Sequence, residues 1–294
     1  MIPLEHFDAS QISPGGPDAP DLSSYGKRFL AEGDSWFTIG SLHLLKSANL
    51  LQEMAFSQRN VVVNCAAPGD QLVRMVEHVR DPKFLELLRG RTARFWDGIL
   101  LSAGGNDLIG AIATPASVAG APVPLERRLL RSAAEWGGVG EGAARYVSDT
   151  GWSTFADYLR ANFDQLIAFR EAGPSAGQPI FMHTYAVPTP RPAGAGIGSA
   201  WLMPSLLAYA IPAGEWRSVA ALFIKRLAAL LAAIAADSAR YPNVHAFDTS
   251  SVALVAALEG ASGESGDWIN EIHLTHGGCR KLARPWSVAI EAAF

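Results

Sequence analysis

Three short blocks, far apart in the chain, carry the residue types that acyl chemistry needs. The first is Gly33-Asp34-Ser35. A serine hydroxyl is a weak nucleophile until a neighbouring base takes its proton. At a strand-to-helix turn its oxygen is exposed and helix N-terminal amides lie close by. The second block is Gly104-Gly105-Asn106-Asp107, where glycines permit close backbone approach and Asn106 offers an amide donor. A donor aimed at a developing oxyanion is worth roughly 2.7–4 kcal/mol. The third is Asn270-Glu271-Ile272-His273, whose imidazole can act as general base. Each block alone has a plainer explanation. Gly-Asp-Ser and Gly-Gly-Asn-Asp are ordinary turn sequences, and a lone histidine near a chain end often caps a helix or sits on the surface.

Together the blocks say more. Gly69, in Asn64-Cys65-Ala66-Ala67-Pro68-Gly69-Asp70, supplies a further backbone amide after a second predicted strand. The order Ser, Gly, Asn, His resembles the SGNH hydrolases, also called the GDSL family of esterases and lipases, and the resemblance runs from Gly33 to His273. It implies Ser35 as nucleophile and His273 as base. It implies an oxyanion hole made by the Ser35 amide, the Gly69 amide and the Asn106 side chain. Asp34 and Asp107 would tie turns together. The implied fold is flavodoxin-like, a three-layer α/β/α sandwich. The implied activity is metal-independent hydrolysis of carboxylic esters through an acyl-enzyme, with no cofactor and a small-molecule ester as substrate. Transfer of the acyl group to a sugar or another alcohol would use the same site, and a non-catalytic binding protein on this scaffold is a third reading.

One position departs from the family pattern. Members usually carry Asp three residues before the catalytic His, where this chain has Asn270. In a serine protease triad the Asp-to-Asn change lowers kcat by about 10⁴ because it imposes the wrong imidazole tautomer, although Asn orients His in Cys-His-Asn proteases. Three groups can orient His273: Asn270 by position, Asp267 as the nearest upstream carboxylate, or a main-chain oxygen. If Asn270 faces His273, Glu271 points elsewhere.

The elements that must position these residues follow from short apolar runs ending in turn residues. Strands are predicted at 28–32, 60–65, 98–104, 179–185 and 244–248. Helices are predicted at 41–58, 71–89 with a break at Pro82, 157–172, 215–240 and 279–293. Strands alternating with helices predict an α/β fold with a mainly parallel five-stranded sheet. Residues 1–25, rich in Pro, Gly, Asp and Ser, read as an arm, and 26–294 as a single domain. Two Gly-, Pro- and Ala-rich stretches, 109–152 and 187–214, break the alternation. Both follow strand ends, where α/β sheets place ligands, so both are expected on the rim of the site.

Other motifs rank lower. Gly173-Pro174-Ser175-Ala176-Gly177 matches Gly-x-Ser-x-Gly, but a predicted helix precedes it where a nucleophile elbow needs a strand. Gly194-Ala195-Gly196-Ile197-Gly198 lacks the spacing and the preceding strand of a dinucleotide loop. The seven histidines form no metal-spaced cluster. His183 and His245 lie on strands and are expected as core residues, and His276 as a turn or helix-start residue. Trp36 and Trp201 are candidates to line a pocket.

The net charge of −4 comes with scattered Lys and Arg, which speaks against an extended nucleic-acid footprint. Two cysteines, Cys65 and Cys279, are too few for a disulfide framework. The opening residues carry no basic-then-apolar signal, so the expectation is a cytoplasmic location, or secretion if a leader has been removed. Residues 219–236 are apolar enough to suggest a membrane span, but Lys225 and Arg226 interrupt them. A core helix is expected there, without stable membrane insertion. Oligomeric state is not readable.

Overall fold

A computed structural model describes residues 1–12, 20–38, 48–77, 79–196 and 198–294. Its main sheet uses β1 (Glu5–Asp8), β2 (Arg28–Gly33), β3 (Val61–Asn64), β4 (Gly98–Ser102), β5 (Ile180–His183) and β6 (Val244–Phe247). The spatial order is β6-β5-β4-β2-β3-β1, and every neighbouring pair is parallel. The central strands β2, β4 and β5 are almost wholly buried, as continuous apolar runs covered on both faces should be.

The sheet therefore has six strands, not the expected five. The sixth comes from the stretch expected to be an arm. Glu5–Asp8 runs beside β3 in the register Glu5↔Val61 to Asp8↔Asn64. Just before it, Ile2–Pro3 pairs antiparallel with Ala55–Phe56. Its polar residues suit an edge strand, and backbone pairing rather than an apolar pattern holds it.

Five longer helices pack on the sheet: α1 (Pro82–Arg89), α2 (Gly105–Ile112), α3 (Asp149–Glu171), α4 (Trp216–Ala236) and α5 (His276–Glu291). Both faces of the sheet are covered, which makes the α/β layers of the expected class. The break expected at Pro82 is present: Pro82 opens α1, with Asp81 as its cap accepting from the Phe84 amide. Residues 72–75 form a separate short helix. The α3 helix starts earlier than expected because Ser148 caps it, accepting from the Gly151 amide at 3.0 Å. Along α4, Val219, Phe223, Leu227, Leu230 and Ile234 recur on one buried stripe. Length and composition alone would let this helix cross a membrane. Of the helix expected at 41–58, Leu50–Glu53 is helical, Ala55–Phe56 is extended, and 41–47 lie outside the described residues.

Chain direction fixes where a ligand can bind. From β2 the chain moves to β3 on one side, then returns to β4 on the other. The crevice between the carboxyl ends of β2 and β4 is the topological switch point, where open parallel sheets bind ligands. Ser35 follows β2 and Asn106 follows β4.

Candidate active site

Ser35 is held by the turn that ends β2. Gly33 pairs with Ser102 across the sheet, and a Cβ at Gly33 would lie 2.7 Å from the Ser102 Cβ, so only glycine fits. The Asp34 amide continues the ladder by donating to the Ser102 carbonyl at 3.1 Å. The Asp34 carboxylate accepts from the Trp36 amide (2.9 Å), Ser102 Oγ (2.8 Å) and Tyr185 Oη (2.6 Å). Burial raises its pKa to about 6 against the pull of these bonds. Asp34 is thus the tie that the resemblance implied, and it fixes how Ser35 is presented.

His273 Nε2 lies 2.7 Å from Ser35 Oγ. On its other side, Nδ1 lies 3.0 Å from Asn270 Oδ1. That oxygen also accepts from the backbone amides of His273 (2.9 Å) and Ile272 (3.2 Å). Two amide donors can only be met by an oxygen, so the Asn270 side chain has one orientation here. Its oxygen faces Nδ1, Nδ1 must carry the proton, and the Nε2 lone pair faces the serine hydroxyl. The turn thereby enforces the tautomer that an amide in a triad usually spoils. Ser35, Asn270 and His273 are all buried. Burial lowers the His273 pKa to about 4, so the ring is neutral at pH 7. Trp201 packs edge-on against it at 5.2 Å.

Asp267 does not reach His273. Its carboxylate binds Lys281 Nζ at 2.7 Å and the Val255 amide at 2.6 Å, which turns it toward α5 and away from the imidazole. Between the two named side chains, Asn270 is the one in contact.

Asn106 sits in the first turn of α2. Its Nδ2 donates to the Asp70 carbonyl at 3.1 Å, and an amide nitrogen has a second hydrogen to offer. Gly69 adopts φ +83°, a conformation that favours glycine, and no atom lies within 4 Å of where a Cβ would stand. The Ala67 amide donates to the Gly33 carbonyl at 3.0 Å, tying this loop to the end of β2. Asp107 accepts from the Leu72 amide (3.0 Å) and Tyr158 Oη (2.8 Å), so it too acts as a tie.

Beside Ser35 and Asn106 opens a narrow cavity of about 50 Å³. Leu108, Ile109, Ile112, Leu202, Phe223, Ile224 and Ile272 line it, with Trp36 and Tyr185 at the serine end. Both predicted rim stretches contribute, through Ile109 and Ile112 on one side and Pro188 and Leu202 on the other.

Two site-supporting residues escaped the sequence reading. Glu271 is buried and accepts from the amides of Arg191 (3.1 Å), Leu202 (2.8 Å) and Met203 (2.9 Å), as well as Trp201. It pins the rim beneath His273. The Arg191 guanidinium donates to the Asn270 carbonyl at 2.7 Å. Charged residues in loops read as exposed, and nothing in their spacing signals this burial.

The rival motifs are structural. Ser175 is fully buried and its Oγ accepts from the Trp96 amide at 2.9 Å. His183 is buried, with Nδ1 on the Thr184 carbonyl (2.7 Å) and Nε2 on Ser102 Oγ (3.0 Å). His245, expected in the core, is exposed because β6 is an edge strand; it meets Asn243 Oδ1 at 2.8 Å. His276 is the first residue of α5 and pairs with Glu53 at 3.0 Å. In the 194–198 stretch, Ile197 lies outside the described residues.

Solved structures similar to this chain include SGNH/GDSL hydrolases, esterases and lipases. An extracellular lipase from Streptomyces rimosus has 16% identity and a TM-score of 0.48, covering 91% of this chain and 100% of that one. A protein from Slackia heliotrinireducens assigned as an SGNH hydrolase has 14% identity and a TM-score of 0.45, covering 90% and 97%. A variant of an acetyl-xylooligosaccharide esterase from Geobacillus has 13% identity and a TM-score of 0.40, covering 93% and 97%. No family model matches the chain, and no curated protein matches it significantly.

Proposed function

We propose that this chain is a serine hydrolase of carboxylic esters, working in the manner of the SGNH enzymes. The observation that carries the reading is the Ser35–His273–Asn270 line, with 2.7 Å on the nucleophile side and 3.0 Å on the orienting side. Ser35 Oγ attacks the acyl carbon while its proton passes to His273 Nε2. The imidazolium keeps its Nδ1 proton on Asn270 Oδ1. The tetrahedral oxyanion is met by the amides of Ser35 and Gly69 and by the second Nδ2 hydrogen of Asn106. His273 then protonates the leaving alcohol. Water, deprotonated by the same ring, releases the acid from the acyl-enzyme. The apolar cavity beside Ser35 suits the acyl chain, since its lining offers almost no polar group beyond the reacting ones.

The test is hydrolysis of short p-nitrophenyl esters and labelling by a fluorophosphonate. Ser35→Ala is expected to abolish both, while Ser175→Ala keeps both. Retained activity and labelling in Ser35→Ala would sink the assignment.

A further inference from the structure

Behind the oxyanion loop three acidic side chains converge. Glu32 on β2, Asp70 after Gly69 and Asp81 at the cap of α1 bring carboxylate oxygens within 4.8 Å of one another. Glu32 and Asp81 are buried, at 0% and 7% exposure, while Asp70 is partly exposed. Each buried carboxylate has one oxygen engaged. Glu32 Oε1 accepts from the Gly33 amide at 2.7 Å, and Asp81 Oδ1 from the Phe84 amide at 3.1 Å. The remaining oxygens, Glu32 Oε2 and Asp81 Oδ2, are buried and meet no donor other than a proton the two carboxyls would share. None of the ion pairs among the described residues involves these three side chains.

Two such carboxylate oxygens in a protein interior, next to a third carboxylate, are an expensive arrangement: each buried charge costs several kcal/mol unless it is paired or binds a metal. A cation or a proton must offset it. The donor set is all oxygen and anionic, which selects hard divalent ions over zinc or copper. Because Glu32 and Asp81 each keep one oxygen on a backbone amide, each has one oxygen left to give. Few protein oxygens with water completing the shell is the habit of Mg²⁺ and Mn²⁺, whereas Ca²⁺ takes six to eight oxygens and often bidentate carboxylates. Asp70, at the surface, provides the way in.

We propose that Glu32, Asp70 and Asp81 form a binding site for a hard divalent cation of the Mg²⁺ or Mn²⁺ type. The ion would fasten the end of β2, the oxyanion loop and the cap of α1 to one another. It touches no reacting atom. Its reach to the chemistry is positional, because the Asp70 carbonyl holds Asn106 Nδ2. Burial, then a side-chain hydrogen bond to Asp81 and that group's charge, push the Glu32 carboxyl well above the usual range, and a bound divalent ion would reverse that. The site stands independently of the ester-hydrolase reading.

The test uses the full chain, stripped with a chelator and dialysed, and titrated separately with MgCl₂, MnCl₂ and CaCl₂ by calorimetry. Bound Mn²⁺ is counted by electron paramagnetic resonance. One saturable site per chain is expected, with a higher Tm when Mg²⁺ or Mn²⁺ is present. Asp70→Asn and Asp81→Asn should each weaken binding by about tenfold or more, and the Asn at 81 keeps an oxygen for the Phe84 amide. Circular dichroism establishes that each variant is folded; if Asp81→Asn is not, the partly exposed Asp70→Asn decides alone. No saturable binding by folded wild-type protein at millimolar cation would overturn the proposal and leave a shared proton as the answer. Equal affinity in wild type and Asp70→Asn would overturn it as well, by locating the ion elsewhere, and a clear preference for Ca²⁺ would overturn the assigned ion type.

Discussion

Replacing Asn270 with Asp is the sharpest probe of the site. The two side chains are nearly the same shape, and a carboxylate keeps an acceptor for the Ile272 and His273 amides that now bind Oδ1. What changes is charge, placed 3.0 Å from His273 Nδ1. An opposite charge at that range moves a pKa by about 1–3 units toward the charged form. In the native protein the ring has no such help, and burial holds its pKa at about 4. The sign follows directly: above about pH 4 the ring is neutral and can take the Ser35 proton, and activity falls as pH drops through that value. In Asn270→Asp the acid limb of kcat/KM should climb by about 1–3 units. The same interaction stabilises the imidazolium of the transition state by roughly 1.4–4 kcal/mol. Where acylation or deacylation limits turnover, kcat rises by about ten- to a thousandfold. Ester hydrolysis followed by pH-stat from acidic to neutral pH measures both quantities. An acid limb that stays in place in Asn270→Asp would refute the assignment of residue 270 as the partner of His273, whatever kcat does.

Three further outcomes follow from the same geometry. Asn106→Ala should lower kcat by about 10²–10³ with little change in KM, because the lost donor acts mainly on the oxyanion; an equal loss in binding would place Asn106 outside the hole. In a series of saturated p-nitrophenyl esters, kcat/KM should rise by about fourfold per added methylene, from about 0.8 kcal/mol per buried CH₂, until the chain fills the cavity that Ile112 and Phe223 help to line; a flat series would exclude that cavity as the acyl site. Glu271→Ala strips the acceptor from four backbone amides at 191, 201, 202 and 203, and at about 1–3 kcal/mol per stranded donor the urea midpoint should fall clearly, with kcat following as Trp201 loosens from His273.

What the sequence made legible were the central strands and the polar blocks at their ends. Val61-Val62-Val63 and Gly98-Ile99-Leu100-Leu101 are short, buried and closed by turn residues, so period and length agree. Asn270 was legible by its distance from His273. Helix α2 was not, because Gly104-Gly105-Asn106-Asp107 reads as a turn, whereas Gly104 is the cap and Gly105, Asn106 and Asp107 already form the first turn of the helix. Nor was β1, whose charged and aromatic residues show no apolar alternation and whose extended shape comes from pairing with β3. Glu32, Glu271 and Arg191 were invisible for a common reason. A buried charge is defined by partners distant in the chain, and single-residue chemistry predicts exposure.

The place of β1 has a consequence for the edge that the sheet presents to its surroundings. Three consecutive valines make β3 the sort of segment that templates intermolecular strand addition when its backbone groups are open. Glu5–Asp8 occupies that flank, so the outermost strand is a short one carrying two carboxylates. Glu5–Asp8 thus acts as a bumper strip along the valine-rich strand, so that a short charged segment is what this side of the sheet turns outward.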